Sequence, residues 1–488
     1  MIQFKNIPAN VRRPDVYIEE SSSLNIASPF GNLRTVLLAQ TNNNAVAVPT
    51  LVTSANDAAT LFGAGSVAHK MAKSFFDGTS AQEVYVLPCD VSQVSTDFAK
   101  WTYTVSAAAN GVANLYLGGY RISQSYTLAD VSTSPATLAS GASALAAIIN
   151  ADPNAPVTAT SAAAVVTITA KAKGVVGNDL KIAFDLNRGE ASNLAGTLAQ
   201  TVVATATADL ASVLASIGDF NAYYWVTSFR DDVNIAALST FLDARHAPGS
   251  RLRGIGIYSV SGSVSSVVSQ VASRNNRHLF TLATEATTQD EAHVISAMFG
   301  AAIVTSAAAD PSRQMRGRQL YGKFPVKEAF AFSKANRELL LNNKLSTYVT
   351  DSAGVARLTR VISNNTLNEL GSADEAYLDI MTRLVVDFIS RDIETMFDTL
   401  YMDAKLASDG LPLFEGSGVV TPASVKSDLY NRYVYYVEDL NICESPSEFL
   451  KNTRVERNAS DMNRLDILYV PNLVNNLMVS AIKLSFVL

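Results

Sequence analysis

The chain has 488 residues, of which 48% are hydrophobic and only 17% charged, with a net charge of −6 and a pI near 5.4. That is length enough for several domains, with fewer charges than the usual ~25%, so much of the surface is expected to face other protein. The acidic balance and the lack of a basic block exclude a nucleic-acid footprint. Two distant cysteines, Cys89 and Cys443, exclude a disulfide framework or a zinc motif. No signal peptide is expected. No uninterrupted apolar run reaches the ~18 residues of a membrane span, so no direct membrane insertion is expected.

The first residues, IPANVRRPDVYIEE (Ile7 to Glu20), read as an extended arm. Pro8 and Pro14 keep it out of a helix, and Val16, Tyr17 and Ile18 form a short strand without a nearby mate. NLRTVLLAQ (Asn32–Gln40) reads as a buried strand. Ser54 to Phe76 reads as one or two helices broken near Gly63 and Gly65, and EVYVLPC (Glu83–Cys89) as a second strand. This alternation predicts an α/β layer with a partly parallel sheet. From about Trp101 the chain turns rich in Ala, Ser, Thr and Gly, with strands at NLYLGG, YRISQSYTL, APVTA and AVVTITAKA. A helix is expected at Pro135–Asn150. This is a β-rich insertion. α/β character returns with FNAYYWVTSF, the helix Asn234–His246, GIGIYSVSG, HLFTLATE and the helix EAHVISAMFGAAIVTS.

The segment from Asp310 to about Ser363 reads as largely extended, with one helix, KANRELLLNN, and one strand, ARLTRVIS. Asp374 to Leu406 reads as the strongest helix. Tyr377, Met381, Leu384 and Phe388 form its apolar stripe. Asp379, Arg383, Asp387 and Arg391 recur every four residues with alternating sign along one face. Residues 371–410 hold nine acidic and three basic side chains, a local charge of −6. That face is read either as solvated or as an electrostatic docking surface for a partner. Thr421-Pro422 opens a further helix. RLDILYVP and LMVSAIKLSFVL read as strands. In the latter, Ile482, Leu484, Phe486 and Leu488 share one face.

Catalytic constellations are weak. His69, His246, His278 and His293 show no HxxxH or HExxH spacing. Asp77 to Ala81 echoes a subtilisin GTS segment, but the serine does not follow both its aspartate and its histidine. FGAGS (Phe62–Ser66) lacks the GKS/T ending of a phosphate loop. Asn150, Asp152 and Asn154 lack the glycine and glutamate of a calcium loop. No catalytic residue, cofactor or metal is expected.

The arms carry more information. Burying four apolar side chains contributes ~1.5–3 kcal/mol each, and ladder hydrogen bonds ~0.5–1.5 kcal/mol each. Ordering about ten residues costs ~1–2 kcal/mol each, so the two sides nearly cancel. Such an arm orders only on a preformed sheet edge, its own or a neighbour's. Head-to-tail contacts of that kind build rings or filaments.

On these residues the chain resembles contractile-tail sheath proteins of bacteriophages, of the Mu-like type. IPANVRRPDVYIE, LFGAGSVAHKMAKSF, Gly118-Gly119, PVTA, KGVVGND (Lys173–Asp179), DPSRQMRG, KLASDG, VTPASV and NRLDILYVPNLVNN match in colinear order. Gln314 departs from the pattern, where proline is common. The resemblance implies a structural protein rather than an enzyme. Its expected fold is α/β (α+β multidomain): a discontinuous inner α/β core with strand arms, an inserted β-rich outer domain and a subtilisin-like-topology α/β domain without an active site. The expected division is 1–22, arm; 23–100, first part of the core; 101–200, insertion; 201–310, α/β domain; 311–365, linker; 366–470, inner tube-facing domain; 471–488, arm. Implied partners are further copies in stacked rings or a helical polymer, the tail tube protein, and baseplate and terminator proteins. The implied location is the virion tail, assembled in the host cytoplasm. The alternatives are the sheath of a tailocin or related contractile injection system and, from a different class, a hydrolase of subtilisin-like topology.

Overall fold

The computed structural model describes residues 30–31, 33–43, 45–79, 83–90, 97–129, 134–184, 194–322, 331–368, 370–410 and 418–486. The segment holding Val16, Tyr17 and Ile18 lies outside the described residues, as does Leu488.

The chain first lays down β1 (Thr35–Ala39) and β2 (Thr50–Val52). Helices α1 (Ala55–Phe62) and α2 (Val67–Gly78) follow, then β3 (Val84–Pro88). The two helices are separate because Gly63 and Gly65 adopt positive φ, 92° and 72°, which glycine takes without steric cost. Each helix starts at a serine: Ser54 accepts from the Asp57 amide and Ser66 from the His69 amide.

Seven strands of the insertion come next: β4 (Phe98–Ala108), β5 (Gly111–Leu117), β6 (Tyr120–Tyr126), β7 (Val157–Ala162), β8 (Val165–Lys173), β9 (Ile182–Phe184) and β10 (Leu194–Val202). Helix α3 (Ser134–Ala151) lies between β6 and β7. They form an antiparallel sheet in the order β10-β4-β8-β7 and a smaller one, β6-β5-β9. Trp101, Leu115, Ile149, Val166 and Ile168 belong to a core that is separate from the rest of the molecule. The insertion therefore has its own hydrophobic driving force, as its shift in composition predicts.

The body then resumes with α4 (Leu210–Ser216), β11 (Tyr224–Thr227), α5 (Asp232–Arg245), β12 (Ile255–Gly262), α6 (Val264–Val271), β13 (Leu279–Glu285) and α7 (Ala292–Ala309). One six-stranded sheet runs β13-β12-β11-β1-β3-β2, parallel except at β2. β1 pairs β3 on one side and β11 on the other, so residues 23–100 and 201–310 contribute to one sheet and not to two domains. Strands such as TVLLA and YWVT are buried on both faces, as parallel sheets require. On β11, Trp225 meets Phe241 of α5 with ring centres 4.9 Å apart. Its neighbour Val226 meets α7 on the opposite face, where Gly300 permits the approach. Helix α7 is long and apolar enough to cross a membrane by composition alone, and it is mostly buried within this fold.

The segment expected to be a linker is part of the body. Met315, Leu320, Leu345 and Leu358 are buried in the main core. It carries α8 (Lys334–Asn342) and the hairpin β14 (Thr347–Thr350) and β15 (Ala356–Arg360). Then comes α9 (Ile380–Leu400), six residues shorter than expected at each end. Its first half, with Ile380, Met381 and Leu384, enters the main core. Val385, Phe388 and Ile389 enter a third cluster with Tyr433, Tyr436 and Phe449. Around that cluster lie β16 (Lys405–Leu406), β17 (Val419–Val420), α10 (Pro422–Glu438), α11 (Pro446–Asn452), β18 (Arg454–Arg457) and β19 (Leu465–Leu468). Thr421 and Ser424 cap α10 reciprocally, with Pro422 in the first turn.

Candidate functional site: a clasped tail and a buried charge network

Beyond β19 the chain makes no further strand among the described residues, although LMVSAIKLSFVL alternates like one. It is instead sewn down at a few points. The Glu444 amide donates to Asn472 O at 2.9 Å, and the Val474 amide to Ile442 O at 3.1 Å. The Asn472 amide donates to Tyr433 Oη at 3.1 Å, and that hydroxyl donates to Glu444 O at 2.7 Å. Asn476 Nδ2 reaches Ser312 O at 3.0 Å. Gln314 Nε2 contacts Met478 Sδ, and Met478 packs against the main core. From Val479 to Phe486 every residue is exposed among the described residues. Ile482, Leu484 and Phe486 are 87%, 88% and 77% exposed.

The face carried by Asp379, Arg383, Asp387 and Arg391 turns inward, which corrects the expectation of a docking surface. Asp379 holds Arg360 through two hydrogen bonds of 2.9 Å. Arg383 and Asp387 form a bidentate pair, and Asp387 is 0% exposed. Tyr223 Oη donates to Asp387 at 2.7 Å, and His246 Nε2 lies 3.5 Å away. Arg391 lies over the Tyr223 ring at 5.0 Å. Burial alone would raise the Asp387 carboxyl. The His246 contact and the Arg383 charge outweigh it and hold the group well below the usual carboxylate range. Arg383 and Asp387 are buried because α9 bridges the main core and the third cluster there, while Asp379 and Arg391 at the ends of the face are half-buried.

The local charge of −6 is largely answered by arginines. Asp379, Asp387, Asp392, Glu394 and Asp398 pair with Arg360, Arg383, Arg432, Arg253 and Arg251. Five of the nine acidic residues are thus engaged, four of them by arginines from outside residues 371–410.

The sequence motifs of the body and the insertion converge on one joint. Lys70 of α2 pairs with Glu291 at 2.5 Å. Asp179, at the end of KGVVGND, pairs with Arg230. Lys181 donates to Ala286 O at 2.5 Å and also to Thr288 O. Gly118 and Gly119 face the carboxylates of Glu291 and Asp290; a Cβ at Gly119 would lie 1.8 Å from Asp290 Oδ1. A Cβ at Gly65 would lie 2.5 Å from Ala155 O. These glycines belong to a close domain contact, and FGAGS is a turn between helices.

The histidines are structural. His69 Nδ1 accepts from the Gly65 amide at 3.0 Å. His246 and His278 stack with ring centres 3.7 Å apart, beside an open cleft of about 710 Å³. Burial, then the neighbouring His246 and Arg383, push His278 down to about 2. His293 is buried beside Lys70 and Arg230, and its pKa lies well below the ordinary value. Asp152 accepts from Tyr120 Oη, and Asn150 bonds the Ala159 backbone in both directions. Both residues are therefore committed to the fold. Asp77 makes an exposed pair with Lys73 at 3.0 Å, and Ser80 lies outside the described residues. Among the described residues no group of three or more His, Cys, Asp or Glu side chains is placed to hold a metal ion.

Asn476, Met478 and their partners Ser312 and Gln314 were not singled out as a unit by sequence. The signals were present: the departure at Gln314, and the alternation that runs upstream from Phe486. Glu291 and Arg230 carry no local pattern that marks them.

No family model matches the chain. Solved structures that it resembles include two described as sheath tail proteins. That of Desulfitobacterium hafniense is 12% identical, with a TM-score of 0.48, 94% of this chain and 100% of that one being covered. That of Listeria innocua is 10% identical, with a TM-score of 0.47 and coverages of 91% and 93%. The helical sheath of the anti-feeding prophage in its contracted state is 11% identical, with a TM-score of 0.46 and coverages of 98% and 99%. In sequence, the chain is 27% identical over 497 residues to the Mu-like prophage FluMu tail sheath protein of Haemophilus influenzae, covering 100% of both. The similarity to that tail sheath protein runs along the whole of both chains, in agreement with the resemblance carried by the colinear motifs.

Proposed function

We propose that this chain is a structural subunit of a phage-type contractile tail sheath. The observation that carries the reading is the exposed apolar stripe of the tail, Ile482, Leu484 and Phe486, in a chain homologous from end to end to a tail sheath protein. Three large apolar side chains that alternate along the end of the tail are left in water, and a sheet edge on a second copy would cover them. The hairpin β18–β19 is a suitable acceptor. It is two-stranded among the described residues, and a two-stranded sheet is marginal without further pairing. In this reading the terminal arms, including Val16 to Ile18, exchange strands between copies around a tail tube. Baseplate triggering then lets an extended assembly relax to tighter contacts and drive the tube through the host envelope. The parallel sheet serves as a scaffold of subtilisin-like topology without that fold's chemistry.

The test is assembly of the purified chain, followed by sedimentation and negative-stain microscopy. The full chain forms tubes, and a version lacking residues 479–488 stays folded and forms none. Normal tubes from the shortened chain would remove the tail from the assembly mechanism.

A further inference from the structure

The tail divides sharply at Met478. Upstream, residues 472–478 are held by the third cluster through Tyr433, Ile442 and Glu444. They are also held by the DPSRQMRG turn through Ser312 and Gln314. Downstream, from Val479 at 81% exposed to Phe486, the side chains lie in water among the described residues. From Asn475 to Val479 burial alternates, Asn476 and Met478 being half-buried and Asn475, Leu477 and Val479 exposed, a period of two that begins only there, since Val474 is exposed and Leu473 half-buried. Ile482, Leu484 and Phe486 have the same parity as Asn476 and Met478. An extended chain that leaves the clasp therefore presents its apolar stripe on the side that Asn476 and Met478 define, and a slip by one residue would reverse it.

We propose that residues 472–478 form a permanent clasp and that only the chain beyond Met478 exchanges between copies. Asn476, held by Ser312, acts as the positioning residue that sets the point and the face of departure. This rests on the sheath reading above and adds the location of the hinge. Three features support a clasp that stays closed. The root spans two units of the molecule, so releasing it would break contacts on both. It lies beside a cavity of only about 170 Å³, lined by Met381, Val385 and Leu473, which leaves little room for a rival segment. A strand that transmits load between copies also needs a fixed root on its own.

A full chain carrying Gln314→Cys and Met478→Cys can be closed with a short, reducible bis-thiosulfonate. Cys89 and Cys443 are buried, and burial pushes both thiols up, Cys443 to about 12, so neither competes. The closed protein forms tubes in the same yield as the open one. Loss of tubes on closure, with recovery on reduction, would overturn the clasp and leave the sheath reading standing. Absence of tubes from the unmodified chain would take down both. Hydrogen exchange on the unmodified chain answers without cysteines. On assembly, amides of 479–486 slow at least tenfold, while those of 472–478 keep their rates. Equal slowing across both stretches would overturn the proposal.

Discussion

The first half of α9 and the last described residues of the tail invert the usual rule of burial. On the helix, Arg383 and Asp387 are almost wholly enclosed; in the tail, Ile482, Leu484 and Phe486 are almost wholly in water. The helix charges are tolerated because they satisfy each other and Tyr223, so desolvation is matched by short, directed contacts. The apolar tail has no such internal answer. Buried polarity that is fully partnered marks a finished contact, whereas exposed apolar surface with strand periodicity marks an unfinished one.

Breaking the pair on α9 should give the largest change in the stability of the single chain. Asp387→Ala leaves Arg383 buried without its partner and should cost about 3–5 kcal/mol, read from denaturant unfolding. A loss below about 1 kcal/mol would mean that the pair is as weak as an exposed one. The Asp387 contribution is present above the ordinary carboxylate range and fades only as pH falls below it, because its pKa is depressed in the fold.

The histidines give the next effect. His278 and His293 stay neutral in the fold and take up protons only when it opens. Their contribution is complete above pH ~6.5 and falls as pH drops, by about 1.4 kcal/mol per pH unit for each. Asp179, raised to about 6 by burial against the pull of Arg230, works in the opposite direction between about pH 6 and 4. Replacing His293→Leu should therefore lessen the fall in stability from pH 6.5 to 5.5 by about one proton's worth. Parallel profiles for the two proteins would contradict the neutral state assigned to His293.

The smallest effects belong to the exposed side of the comparison. Asp398→Asn removes an open pair with Arg251 and should leave the unfolding midpoint unchanged, since water and salt screen such contacts. Leu484→Ser should be equally silent in the free chain while lowering tube yield. A destabilised free chain would show that the tail packs on its own molecule.

Much of the α/β pattern was legible because it is local. The strands around Val36 and Tyr224, the two helices parted at Gly63 and Gly65, the separate insertion and the capped start of α10 each follow from a few neighbouring residues. The alternation of the tail was visible in the sequence for the same reason, although residues 479–486 form no strand in the single chain. The direction of the charged face on α9 was not legible. Its four-residue spacing fixes that the groups share a side, but spacing is the same whether that side meets water or Tyr223 and His246.

Sequence alone therefore determined many of the elements, the shift in composition at the insertion, and the colinear motifs that resemble those of tail sheath proteins. Only the tertiary structure decided that β1 joins β3 to β11 in one sheet, that the motif glycines meet at a charged joint, and that the tail is clasped as far as Met478. Those decisions depend on pairings between residues distant in sequence, such as Thr35 with Tyr224 and Ser312 with Asn476. Their energies come from burial and partner geometry, and neither is carried by the residues until the chain has closed on itself.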